Sequence, residues 1–132
     1  MGKFYDSLKD ITYHGSYDQS FGDSVVTIKR DGETKTLDLR LDLGNHSPTG
    51  FAWGYGGSGP HQLSIAILSD FFGDECAKQY SHMFKWDVIS RLEQTPKQFD
   101  IHGYNIIDWA SVHQVPYGDF LHKKYGEDVY TK

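Results

Sequence analysis

The sequence predicts an α+β fold: a small antiparallel sheet packed on a helical hairpin, followed by a short C-terminal helix. Three observations carry this expectation. Asp31-Gly32 follows the β-branched run Val25 to Lys29 and is a two-residue hairpin signal. Leu37, Leu39, Leu41 and Leu43 alternate strictly with Asp38, Arg40 and Asp42, the period of a strand with one buried face. From Pro60 to about Leu92, apolar residues recur at helical spacing on either side of Gly73.

Taken in order, Ile11 to Leu43 reads as β, an N-terminal hairpin plus the leucine-alternating strand, whose other face carries an acid-base-acid ladder expected to be solvated surface. Gly44 to Gly59 is a long glycine-rich connection, and loops of this length in compact domains are commonly functional. Pro60 suits the first helical position with Gly59 as its cap, and Leu63, Ala66, Ile67 and Phe71, widened by Ile65, Leu68 and Phe72, predict a nearly all-buried helix. Gly73 ends that helix and Asp74 caps the next, where Ala77, Tyr80, Phe84, Val88 and Leu92 form the inward stripe. Thr95-Pro96 stops it, Phe99 to His102 reads as a short strand, and Asn105 with Asp108 caps a short helix through His113, with Ile106, Trp109 and Ala110 inward. One domain over residues 1–132 is expected, its core at roughly 11–113, with a polar extension over 114–132 that is either a docking arm or frayed.

Composition narrows the functional classes. The chain of 132 residues has a formal net charge of −5, and its 13 Lys and Arg are scattered, so bulk nucleic acid is not the expected partner. No apolar run reaches membrane-spanning length. Cys76 is the single cysteine, which removes intrachain disulfides and cysteine zinc sites and, with no signal segment in the sequence, points to the cytoplasm. That thiol falls on an apolar helical face and is expected to be buried and inert. None of the 7 histidines forms an H-x-x-x-H pair, so no metal site and no cofactor is assigned. The aromatic share of 15% implies that rings supply much of the core, with a surplus that could serve self-association as a homodimer or higher homo-oligomer.

The stretch Gly54-Tyr55-Gly56-Gly57-Ser58-Gly59-Pro60 singles out a candidate site. Gly54, Gly56 and Gly59 satisfy G-x-G-x-x-G, but a helical hairpin follows in place of a βαβ unit. Pro60 and His61 stand where a phosphate-binding Walker loop needs Lys and Ser or Thr, and Ser58-Gly59-Pro60 lacks the G-x-S-x-G elbow of a nucleophilic serine. Two readings remain. Gly56, Gly57, Ser58 and Gly59 can present N–H groups and a helix N-terminus to an anion. Alternatively, the glycines serve only to fold Trp53 and Tyr55 under the hairpin. On the first reading Trp53 and Tyr55 would stack on a base, and Arg40, His46, His61 and Lys85 would add polar contacts.

The segment Asn45-His46-Ser47-Pro48-Thr49-Gly50-Phe51-Ala52-Trp53-Gly54-Tyr55-Gly56-Gly57-Ser58-Gly59-Pro60-His61-Gln62-Leu63 resembles the signature of a small uncharacterised domain family of bacteria and bacteriophages. The likeness extends to Leu41-Asp42-Leu43, Ala66-Ile67-Leu68 and Phe84-Lys85-Trp86-Asp87-Val88-Ile89, and covers roughly Ile11 to Leu92. What the resemblance implies is a mobile-element setting, where small acidic proteins counter host immunity. The leading expectation is thus a non-catalytic binder of a phosphorylated, nucleotide-like anion, acting as a sponge for an immune signal. Its rivals are a protein-protein inhibitor of a host defence complex and an enzyme acting on a nucleotide signal.

Overall fold

A computed structural model of the protein describes residues 3–18, 23–94 and 97–126. The chain runs α1 (Lys3–Lys9), β1 (Thr12–Asp18), β2 (Asp23–Arg30), β3 (Glu33–Thr36), α2 (Ser58–Phe71), α3 (Asp74–Asp87), a 3-10 turn (Ile89–Arg91), β4 (Gln98–His102), α4 (Gly103–Val112) and α5 (Tyr117–Tyr125). The expected α+β architecture is present: a four-stranded antiparallel sheet in the order β3-β2-β1-β4 lies against the hairpin of α2 and α3. Asp31 and Gly32 both take positive φ, 53° and 80°, as a tight hairpin between twisted strands requires. Tyr13, opposite Ile28 on one side and Ile101 on the other, sits on the sheet's inner face and is fully buried. Its hydroxyl donates to Asp70 Oδ2 at 2.5 Å, and Arg30 pairs with the same carboxylate at 3.0 Å, which ties sheet to α2 by a satisfied polar link.

The leucine alternation does not make a strand over Leu37 to Leu43. β3 ends at Thr36, and beyond the bond from Leu37 N–H to Val26 O (2.9 Å) the ladder stops. Arg40 takes φ 53° with its N–H donated to Asp38 Oδ1 at 3.0 Å, a local turn that competes with strand pairing. The alternation instead records which residues reach the core: Leu37 is buried, Leu39 and Leu43 are partly so, and Leu41 is exposed. Asp38 and Asp42 between them are exposed, as expected of a solvated face, but Arg40 is only partly so and is engaged by neighbouring acids. Arg40 Nε and Nη2 bond Asp42 at 3.0 and 2.9 Å, and Nη1 and Nη2 bond Asp74 at 3.1 and 3.0 Å, which fastens this segment to the first turn of α3.

Helix boundaries differ from expectation by a few residues, each for a local reason. α2 starts at Ser58 with Gly57 at the cap, because Pro60 is tolerated anywhere in a first turn whose N–H groups have no intrahelical partner. Gly73, φ 104°, both closes α2 and caps α3, so Asp74 is the first residue of α3 and its carboxylate is committed to Arg40. α3 ends at Asp87, short of Leu92. α4 starts at Gly103, where a Cβ would overlap the Leu8 carbonyl of α1, and Asn105 acts from the third helical position, its Oδ1 accepting the His102 N–H at 2.8 Å. Ile106, Trp109 and Ala110 are buried as expected. Thr95-Pro96 lies outside the described residues.

The core also extends past 11–113. Leu8 of α1 and Phe120 and Leu121 of α5 belong to it. Over residues 117–125 the C-terminal extension is therefore a packed helix, not a docking arm or a frayed end. Its Tyr125 hydroxyl donates to Phe71 O at 3.0 Å and Lys124 Nζ to Ser69 O at 3.0 Å, which satisfies the last carbonyls of α2. Among the described residues no helix is long and apolar enough to cross a membrane.

Candidate functional site

The connection between β3 and α2 is strapped down by one side chain above all. Gln62, fully buried on α2, uses its whole amide: Oε1 accepts the N–H of His46 (2.9 Å) and Ser47 (3.1 Å), and Nε2 donates to Leu39 O (2.6 Å) and Gly44 O (2.9 Å). Further along, Ser24 Oγ donates to Phe51 O, Gln94 Nε2 to Trp53 O at 3.2 Å, and Gly54 N–H to Ile89 O at 3.0 Å. This long loop is thus held to β2, to α2 and to the segment after α3, which gives it a rigid shape with two faces.

One face borders a groove of about 640 Å³ lined by Tyr17, Ser47, Thr49, Tyr55, Ser58 and Lys97, with Trp53, Gly59 and Gln94 also in its wall. Tyr55 is 48% exposed and can stack on a ligand. Trp53 cannot: it is buried, edge-on to Phe99 with centroids 4.8 Å apart, and belongs to the core. Ser58 and Gly59 bring the positive end of α2 to the groove. The His61 N–H bonds Gly57 O at 3.1 Å and opens the helical series, so the N–H groups of Ser58 and Gly59 precede it without an intrahelical partner. Lys97, absent from the sequence expectation, holds its ammonium 4.8 Å from the centre of the Tyr17 ring, because the β1–β4 pairing continues to a bond from Tyr17 N–H to Lys97 O at 3.1 Å.

The other face carries His46 and His61, which stack with ring centroids 4.1 Å apart, and both line a separate cavity of about 290 Å³ with His82. Burial, then His46, Lys85 and His82, push the His61 imidazole down to about 4. Lys85 is itself buried along α3, and its ammonium lies 4.5 Å from the centre of the Trp86 ring. Gly56 sits under Trp86, whose ring an added Cβ would overlap, and a Cβ on Gly57 would come within 2.5 Å of the Tyr55 ring. Gly59 is buried against Ala52, 2.7 Å from a built Cβ. Each of these three glycines therefore has a packing reason of its own.

The ten residues expected at one site are accordingly divided. Trp53, Tyr55, Ser58 and Gly59 meet at the groove; Gly56, Gly57, His46, His61 and Lys85 do not line it. Arg40 lies outside the groove and the histidine face, in the wall of a separate cavity with Arg30, Lys35 and Lys124, and its guanidinium is paired with Asp42 and Asp74. Cys76 is buried, its thiol pushed up to about 12 by desolvation, the inert state expected of it. Among the described residues no group of three His, Cys, Asp or Glu is placed to hold a metal ion.

Residues 13–112 match a family of unknown function, DUF6166. The chain belongs to this family. The matched span takes in the sheet, the strapped loop, the helical hairpin and α4, so the groove and the histidine face both lie within the DUF6166 region. No curated protein and no solved structure matches the chain.

Proposed function

We propose that the protein binds a phosphorylated, nucleotide-like small molecule in the groove beside the N-terminus of α2 and holds it without converting it. The observation that carries this reading is the meeting of three unlike groups around one cavity: the exposed Tyr55 ring, the first-turn N–H groups of Ser58 and Gly59, which have no intrahelical partner, and the Lys97 ammonium. A base or other flat ring stacks on Tyr55 while the phosphate faces the helix end and Lys97. The groove's volume of about 640 Å³ falls in the range of small-molecule sites. The setting we infer, from the likeness of the Asn45–Leu63 segment to a small family of bacteria and bacteriophages, is a mobile element whose product withdraws a nucleotide signal from a host defence.

The test is mass spectrometry of small molecules released by heat from protein incubated with lysate of cells whose nucleotide-based immunity has been triggered. An intact nucleotide near one per chain supports the sponge reading; a cleaved product would replace it with an enzyme. A protein that returns empty would favour an inhibitor of a host defence complex. That rival has one specific support, the exposed pair Met83 and Trp86 one turn apart on α3.

A further inference from the structure

The cavity on the histidine face shares no lining residue with the groove. Its wall holds His46 from the loop, His61 from α2, and Lys78, Gln79, Ser81 and His82 from α3, on an apolar base of Leu43, Ile65 and Ala77. None of these is a carboxylate, a local reversal of sign in a chain whose net charge is −5. The imidazoles touch one another: His46 is stacked on His61 with planes 14° apart, and His82 meets His61 edge-on at 5.7 Å. Stacked rings send their nitrogens along parallel planes and not toward one point, which suits N–H donation around an anion and does not suit a shared metal ion.

We propose that this cavity is a second binding site, for a tetrahedral oxyanion such as a phosphate or sulfate group, held by the N–H groups of His46, His61 and His82 with Lys78 and Ser81. His82 is set to donate from its other nitrogen: Trp86 Nε1 donates to His82 Nε2 at 3.1 Å, so the neutral His82 ring carries its proton on Nδ1. Ser81 Oγ lies 3.4 Å from His61 Nε2. Without an anion, burial and the neighbouring His46, Lys85 and His82 all oppose a charge on His61. With one bound, its negative charge offsets that opposition and favours a proton on His61, so anion binding and proton uptake are coupled, and affinity rises as pH falls. The competing carboxylate is Glu75, outside the cavity wall, which pairs with Lys78 at 3.8 Å.

The experiment is a sulfate titration of the full chain, followed by the imidazole NMR signals at constant ionic strength kept with chloride. Sulfate holds its charge across the range, so any pH dependence reports the protein. The expected result is movement of the His46, His61 and His82 signals, with affinity about tenfold higher at pH ~5.5 than at pH ~7.5. His82→Gln, at an exposed position that leaves the fold intact, should weaken binding about tenfold, and Lys78→Gln should weaken it in the same direction. Sulfate binding that ignores pH, that moves only lysine signals, or that survives His82→Gln unchanged would overturn the proposal. Lys97→Gln, in the groove, should leave sulfate binding on the histidine face as it was, which separates failure of this site from failure of the groove reading.

Discussion

The side-chain oxygen of Gln62 accepts the backbone N–H of His46 at 2.9 Å, while the same amide satisfies Ser47, Leu39 and Gly44. A single buried side chain on α2 thereby sets the path of the chain before it enters both candidate sites. Gln62→Leu keeps the volume but strands two N–H groups and two carbonyls. Unsatisfied buried groups cost ~1–3 kcal/mol each when they stay buried, and partial rewetting of the loop should hold the total loss to about 3 kcal/mol, read by chemical denaturation. A loss within experimental error of zero would show that the loop is held by other means.

Gly56→Ala and Gly59→Ala should separate by environment. At Gly56 the obstacle is the Trp86 ring, which is 48% exposed and able to swing away, so the cost should be under ~1 kcal/mol and should vanish in a Trp86→Ala background. At Gly59 the obstacle is Ala52, including its backbone nitrogen at 3.2 Å, and overpacking there should cost ~1–3 kcal/mol. Thermal denaturation of the parent, the three single variants and the Gly56→Ala/Trp86→Ala double variant decides whether the loop's glycines answer to packing as described.

The pH dependence of stability should carry the mark of His61. Its folded value of about 4 lies below the ordinary 6.5, so between those limits the unfolded chain binds more protons. The contribution is complete above about 6.5 and is lost as pH falls toward 4. In His61→Gln the stability slope over that window should be shallower than in the parent chain; an equal slope would assign the acid sensitivity elsewhere.

Arg40→Gln tests the reassignment of a residue that resembled a ligand cation. Breaking its links to Asp42 and Asp74 should cost about 1 kcal/mol or less, since both acids are well exposed, and should leave ligand affinity in the groove unchanged. A clear loss of affinity would return Arg40 to the site.

Local pattern made the hairpin at Asp31-Gly32, the α2–α3 pair, β4 and the buried face of α4 legible, because each depends on neighbours a few residues apart. It misled at Leu37 to Leu43, where period-two apolarity marks burial but says nothing of hydrogen-bond pairing, and Arg40 turns the backbone out of the ladder. α1 and α5 escaped notice because each is short and contributes few core residues, Leu8 in one and Phe120 with Leu121 in the other. Glycine number at the loop has a packing reason that the sequence pattern alone does not carry: Trp86, Tyr55 and Ala52 crowd the chain there. Lys97 reaches the groove only through the long-range pairing of β1 with β4, and the triple-histidine face needs α2, α3 and the loop together. Neither relationship exists in any window of sequence.

The most direct measurement of the groove is isothermal titration of linear and cyclic mononucleotides and dinucleotides into the parent chain and into Tyr55→Ala and Lys97→Glu. Both positions lie outside the core, so the variants should melt like the parent. At least one of these nucleotides should bind the parent chain, and its binding should be weakened about tenfold by loss of the Tyr55 ring and more by charge reversal at Lys97. A nucleotide that binds with equal affinity to all three proteins would contradict the groove reading.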